Sequence, residues 1–386
     1  MSSKPSRRRP WRWRESLLTA GIACLIVAAG YAAAFWGRGQ RRAIATAAEA
    51  ERPAANFVLR DQFGRLTSLA QFRGRVVVLA FLDPDCSQIC PLTSQILLGA
   101  MRRLGAAASR VQLLGINVNA QAATVADVAA YSRIHQMDTG PGAGGHWRFL
   151  TGSAAQLRRV WKEFGVYVAT AHGDVVHQAA IIIIDPDGRE RDAYITPMRY
   201  ASVPRQAALL AAKIVPWLAG DPATPPPVAT PVQPPLPPAQ PELLAALAPA
   251  GRPGGGAVHL GAGHPHLVCF FANWLGATTD LPGKLAQLDA YGRAARRHGW
   301  PPPVALDEMP TEPSAAEARA QLRRLAAHLT VSIAADTSGR IADGYGVQDL
   351  PWLALTDASG KIIWHHDGWL PATALERAVA RAAGSN

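Results

Sequence analysis

Two cysteines four residues apart, Cys86 and Cys90, lie in the run Asp83-Pro84-Asp85-Cys86-Ser87-Gln88-Ile89-Cys90-Pro91. That spacing brings two sulfurs close enough for a disulfide or a shared metal ion. Thiolates are soft ligands that suit copper(I), and one imidazole can complete a three-coordinate site. His135, His146, His172 and His177 are the candidate imidazoles. A structural zinc site usually needs four ligands, and no second cysteine pair occurs in this part of the chain. The plainer alternative is that both cysteines pack as small apolar residues. The pair also suits thiol–disulfide exchange, with Cys86 attacking and Cys90 resolving. A Pro-x-x-x-Thr-x-x-Cys run, expected of a peroxidase, does not precede Cys86.

The elements around the pair favour chemistry over packing. Val76 to Phe81 is an unbroken apolar run, as expected of a strand buried on both faces. Pro91 has no amide hydrogen and is best tolerated in a first helical turn, so a helix follows, read over 92–104. The pair then sits at a helix N-terminus, where the partial positive charge favours thiolates. Further strands are expected at 111–118 and 179–185, and helices at 125–135, 154–164 and 203–218. Such alternation predicts an α/β sheet with covering helices. Asp83 and Asp85 either attract a cation or cap the turn, and the cap is the preferred reading.

These residues, taken in order, resemble the Sco/SenC family of copper-delivery proteins. The resemblance runs from Asn56-Phe57-Val58-Leu59-Arg60-Asp61-Gln62-Phe63-Gly64 through Phe72-Arg73-Gly74-Arg75 and Cys-x-x-x-Cys-Pro. It continues in Phe149-Leu150-Thr151-Gly152-Ser153, Gly165-Val166-Tyr167, Val176-His177 and Ile184-Asp185-Pro186-Asp187-Gly188, covering about residues 55–215. It implies a thioredoxin-like fold in which Cys86, Cys90 and His177 bind a copper ion. It also implies delivery of that copper to an oxidase subunit during assembly of the cytochrome c oxidase copper centre. In thioredoxin-like folds the loop facing the cysteine turn carries a cis-proline nine residues before the glycine of the next turn. Counting back from Gly188 gives Ala179, which puts His177 on that loop and leaves His172 in reserve. His135 and His146 are expected to be helix-surface and packing residues. The sequence departs from the family at Asn117-Val118-Asn119-Ala120, where an aspartate-rich turn is common.

Residues 221–253 hold 12 of the chain's 31 prolines and read as a spacer, so the linker is placed at 220–255. It separates a first domain at 53–219 from a second at 256–386. In the second domain, Cys269-Phe270-Phe271-Ala272-Asn273-Trp274-Leu275-Gly276-Ala277-Thr278 resembles a thioredoxin/TlpA-like active-site run. Leu275 and Thr278 stand where redox cysteines would be, which excludes disulfide exchange there. Tyr345 to Pro351 resembles the approach to a cis-proline, with Pro351 nine residues before Gly360. The domain is read as a thiol-less binding or docking module.

The chain carries 39 Lys+Arg against 28 Asp+Glu, a formal net charge of +11. A basic balance of this kind suggests nucleic acid, but its position excludes that reading. Residues 1–42 contain nine basic residues and one acid, Glu15. They flank Leu17 to Trp36, an uncharged stretch of twenty residues, about 30 Å as a helix and enough to cross a bilayer. The positive-inside bias makes residues 1–16 a cytoplasmic tail and 17–36 a transmembrane anchor, with both domains extracytoplasmic. A cleaved signal peptide ending near Ala32-Ala33-Ala34 is the alternative. The expectation is a single-pass, cell-membrane copper chaperone with two tandem thioredoxin-like domains and a thiol reductant protein as a further partner. The competing function is a thiol–disulfide oxidoreductase acting on exported proteins.

Overall fold

Strand β3 (Val76–Leu82) organises the first part of the molecule: all seven of its residues are apolar and all are buried. In this computed structural model the described residues are 52–138, 145–171, 174–218, 250–251, 257–258, 260 and 263–384. The anchor expected at 17–36 lies outside them, as does the linker expected at 220–255 except for residues 250–251, which form a strand of the second sheet and not spacer. Among the described residues no helix is long and apolar enough to cross a membrane.

The fold is mixed α/β. A hairpin of β1 (Val58–Arg60) and β2 (Leu66–Ser68) precedes β3. There follow α1 (Ile89–Leu104), β4 (Val111–Asn117), α2 (Val125–Ile134), β5 (Trp147–Leu150) and α3 (Ala154–Glu163). A second hairpin, β6 (Val168–Ala171) and β7 (Asp174–His177), leads into β8 (Ala180–Ile184), β9 (Glu190–Ile195) and α4 (Val203–Leu218). The five-stranded sheet has the order β5-β4-β3-β8-β9. Strands β3, β4 and β5 are parallel, whereas β8 runs antiparallel to β3.

Side chains alternate across a strand, so β3 serves two cores. Val77, Leu79 and Phe81 face Phe57, Trp161 and Phe164. Val76, Val78, Ala80 and Leu82 face α1 and α4, which cross closely where a Cβ on Gly99 would fall 2.8 Å from that of Ala207. Helices α2 and α3 start at capping boxes, Thr124 with Asp127 and Ser153 with Gln156, which satisfy otherwise orphaned amides.

Gly115 in β4 is a close-packed position. An added Cβ would lie 2.6 Å from the Trp147 ring and 2.8 Å from that of Phe149. Gly115→Ala is therefore expected to cost roughly 1–3 kcal/mol of stability, read as a lower urea midpoint. An unchanged midpoint would show that Trp147 moves aside freely.

The later residues form β10 (Ala250–Gly251), β11 (Ala257–Val258), β12 (Leu267–Phe271), α5 (Leu281–His298), β13 (Pro303–Glu308) and α6 (Ala315–His328). They continue with β14 (Ser332–Asp336), α7 (Arg340–Tyr345), β15 (Trp352–Thr356), β16 (Ile362–Asp367) and α8 (Ala372–Gly384). Their sheet has the order β11-β10-β14-β13-β12-β15-β16. Its run β14-β13-β12-β15-β16 repeats the strand order and directions of the first sheet. The β3 face that packs on α1 and α4 belongs to an apolar cluster that continues without a break into the second sheet. Pro53–Asn386 is accordingly one compact unit.

Candidate metal centre

The cysteine loop is set by the end of β3. Asp83 is buried just beyond Leu82, and its Oδ1 accepts from the Asp85 amide at 2.9 Å and from Asn119 Nδ2 at 3.0 Å. Its carbonyl accepts from the Cys86 amide at 3.3 Å. Asp83 thus caps the turn, as the preferred reading has it. Burial, then the neighbouring Asp83 carboxylate, raises the pKa of Asp85. The Asn119 amide braces the two carboxylates, reaching Asp85 Oδ2 at 3.4 Å. The sequence signal for this role is the run Asn117-Val118-Asn119 where β4 ends.

Helix α1 begins at Ile89, three residues before the expected Leu92, so Cys90 lies in its first turn. Cys90 is fully buried and Cys86 half-buried, and both are free thiols. The Cys90 amide points to Cys86 Sγ at 3.5 Å, and the Asp83 amide points to Cys90 Sγ at 3.5 Å. Strand β8 lies beside β3, with Ala80 opposite Ile181, so the hairpin that feeds β8 ends at the cysteine-bearing edge. His177 closes that hairpin opposite Val168. Its Nε2 lies 3.7 Å from Cys90 Sγ despite 87 residues of separation, and its Nδ1 lies 3.0 Å from the Gln178 carbonyl.

The two thiols differ in character. A hydrogen bond from Cys90 pulls the Cys86 thiol down to about 6, against its burial and with help from His177. Burial, then the hydrogen bond to Cys86, pushes Cys90 well above the ordinary thiol range. Burial opposes the charged form of His177, but the hydrogen bond and charge of Cys86 outweigh it and raise the imidazole. The pair is thus unequal, Cys86 the more acidic thiol and Cys90 the less, beside an imidazole whose charged form is favoured by Cys86. Among the described residues no three His, Cys, Asp or Glu side chains already converge as a metal cage. Metal capture by these three residues would therefore need a side-chain adjustment.

The other histidines are elsewhere. His135 is buried between the rings of Tyr131 and Trp274, where desolvation lowers it to about 3. It is a packing residue and not a helix-surface one. His146 lies beside Arg75 Nη1 at 3.5 Å, and His172 lies outside the described residues. Ala179, which the glycine count selects, has no cis bond; Leu350–Pro351 is the only cis peptide among the described residues. In the second sheet Cys269 is fully buried, and desolvation pushes its thiol far up. That thiol is inert.

The SCO1/SenC family model matches residues 45–210. A Mus musculus protein, "Protein SCO2 homolog, mitochondrial", is 30% identical over 192 residues, covering 46% of this chain and 69% of the mouse protein. This chain belongs to the SCO1/SenC family. The Bos taurus SCO2 homolog is 36% identical over 170 residues, which are 41% of this chain and 59% of the bovine protein. A solved structure of Bradyrhizobium japonicum ScoI with copper bound is 24% identical, with a TM-score of 0.34, over 41% of this chain and 98% of that one. The SCO1/SenC match ends before β10, so the second sheet lies beyond it.

Proposed function

We propose that this SCO1/SenC protein is a copper chaperone. Reduced Cys86 and Cys90, with His177, would bind copper and pass it to a copper-receiving subunit of cytochrome c oxidase. One observation carries the reading: the Gln178 carbonyl occupies His177 Nδ1, and Nε2 faces Cys90 Sγ. An imidazole that donates from Nδ1 to a carbonyl presents its Nε2 lone pair to a metal. Two sulfurs and one imidazole nitrogen form a donor set suited to copper(I), and membership of the family supports the same choice.

Thiol state would gate delivery. Cys86 and Cys90 can close to a disulfide by giving two electrons and two protons to a partner disulfide, leaving no thiolate to hold the cargo. A thiol reductant protein would return both electrons and protons. Residues 17–36 would tether the chain to the cell membrane as one span, with the N-terminus cytoplasmic and both sheets extracytoplasmic.

His177→Ala separates copper binding from dithiol chemistry. Competition against a chromogenic copper(I) chelator should show the reduced full chain losing at least the roughly 10- to 100-fold in affinity that loss of an outer-shell partner alone costs. The variant should still form the Cys86–Cys90 disulfide. An unchanged copper affinity would sink the proposal.

The second reading, a thiol–disulfide oxidoreductase, is favoured by the asymmetry of the pair. A half-buried, acidified Cys86 is suited to attack, and a buried, protonated Cys90 to resolve. Full thiol-exchange activity with no copper binding would select it.

A further inference from the structure

The second sheet presents a row of carboxylates to the first. Ser87, between the two cysteines, donates from Oγ to Asp349 Oδ1 at 2.5 Å, across 262 residues of sequence. Gln88 Nε2 reaches Asp349 Oδ2 at 3.5 Å. The Tyr200 and Ala201 amides donate to the two oxygens of Asp343 at 2.7 and 3.2 Å, and Gln136 Nε2 donates to Glu317 at 2.6 Å. In each of these five hydrogen bonds the donor lies before residue 219 and the acceptor is a later carboxylate.

The carboxylates are firmly placed. Asp349 directly precedes the cis Leu350–Pro351 bond, and Leu350 is buried. Asp343 belongs to α7, whose preceding Gly339 approaches so closely that a Cβ there would fall 2.5 Å from the Tyr200 carbonyl carbon. Trp274 of the thiol-less run packs at a tilt of 58° against His135, with ring centroids 5.0 Å apart. Cys86 packs against the same continuous apolar cluster. The side of the second sheet that bears the thiol-less run and the cis-proline loop therefore faces the cysteine-bearing side of the first.

We propose that the second sheet and its helices are a resident binding partner for the cysteine loop. Asp349 grips Ser87 and Gln88 and screens Cys86 from large molecules. A client protein reaches Cys86 only by displacing Asp349, and so must bring an acceptor of its own, a carboxylate or a carbonyl on an extended segment, for Ser87 and Gln88. The proposal deepens the chaperone reading by giving the client a required chemistry, yet its geometry stands without copper.

The test uses the reduced, metal-free full chain and two reagents with the same reactive group, N-ethylmaleimide and a 5-kDa polyethylene-glycol maleimide, with modification of Cys86 followed by peptide mapping. Asp349→Ala and Ser87→Ala should each raise the rate with the large reagent by at least about tenfold, as expected for losing a hydrogen bond to a charged acceptor. The rate with N-ethylmaleimide should change far less. The double variant should be no faster than the faster single one, because both remove the same contact. Asp349→Asn keeps an acceptor for Ser87 and should stay near the parent rate. Gly339→Ala, which wedges the contact elsewhere, should also speed the large reagent.

Ser87 is half-buried in the loop between the cysteines, outside any helix or strand, so Ser87→Ala keeps the test decisive if Asp349→Ala fails to fold. Parent-like rates with the large reagent in Ser87→Ala, or additive effects in the double variant, would overturn the proposal. A parent protein that binds no copper but shows the expected pattern would sink the chaperone reading and leave this one standing.

Discussion

Cys90→Ser is expected to lower the copper(I) affinity of the reduced protein by more than about a hundredfold, beyond what losing an outer-shell partner costs. Cys90 is fully buried, and its sulfur is the one the His177 imidazole faces. Serine exchanges a soft, ionisable sulfur for a hard oxygen that stays protonated at neutral pH, while little of the surrounding volume changes. Loss of affinity would then reflect ligand chemistry and not collapse of the loop. Cys269→Ser supplies the control. It alters an equally buried thiol in the second sheet and should disturb stability while leaving copper affinity at the parent value. Chelator competition on both variants checks the expectation, and equal affinity in the Cys90→Ser protein and the parent would remove Cys90 from the site.

The second large effect is on thiol reactivity. Cys86 is pulled down to about 6 from an ordinary value of 9.0, so its thiolate forms as pH rises through about 6. At pH 7 roughly nine-tenths of Cys86 would be thiolate, against roughly one-hundredth of an unshifted thiol, a gain of nearly a hundredfold in reactive species. Alkylation by iodoacetamide should therefore be near its plateau at pH 7 and fall about tenfold for each unit below 6. The Cys90 hydrogen bond is the largest cause of the shift and His177 a smaller one. Cys90→Ala should therefore move the profile to higher pH, and His177→Ala should move it less far in the same direction. A midpoint near 9 in the parent would refute the acidified Cys86 thiol.

Much of the frame was legible because its signals are local. The run from Val76 to Phe81 needs no partner to be read as a buried strand, and the helix at 125–135 carries its own Thr124–Asp127 cap. Helix α1 starts three residues earlier than the reading over 92–104, which lets the helix follow Pro91. Proline is equally acceptable at a third helical position, where its missing amide hydrogen would still have had no acceptor. The hairpin at 168–177 leaves no sequence signal: its Ala, Thr, His and Gly residues give no clear two-residue alternation.

The site divides in the same way. Cys86 and Cys90 were legible from their spacing and the following proline. His177 stands out among four histidines through the family resemblance and the count back from Gly188, since nothing local joins it to a cysteine 87 residues away. Asp349 had no signal of that kind. Its contact with Ser87 depends on how one sheet docks on the other, and periodicity carries no information about docking.

That docking also bears on how the molecule melts. The proline-rich stretch separates the two sheets in sequence, but the apolar cluster joins them through buried residues from Val76 to Val379. Structures with a shared core lose it together, whereas beads on a string unravel one at a time. A cavity opened under β12 would therefore lower the temperature at which the cysteine loop itself lets go, and heat would register the chain as one cooperative body.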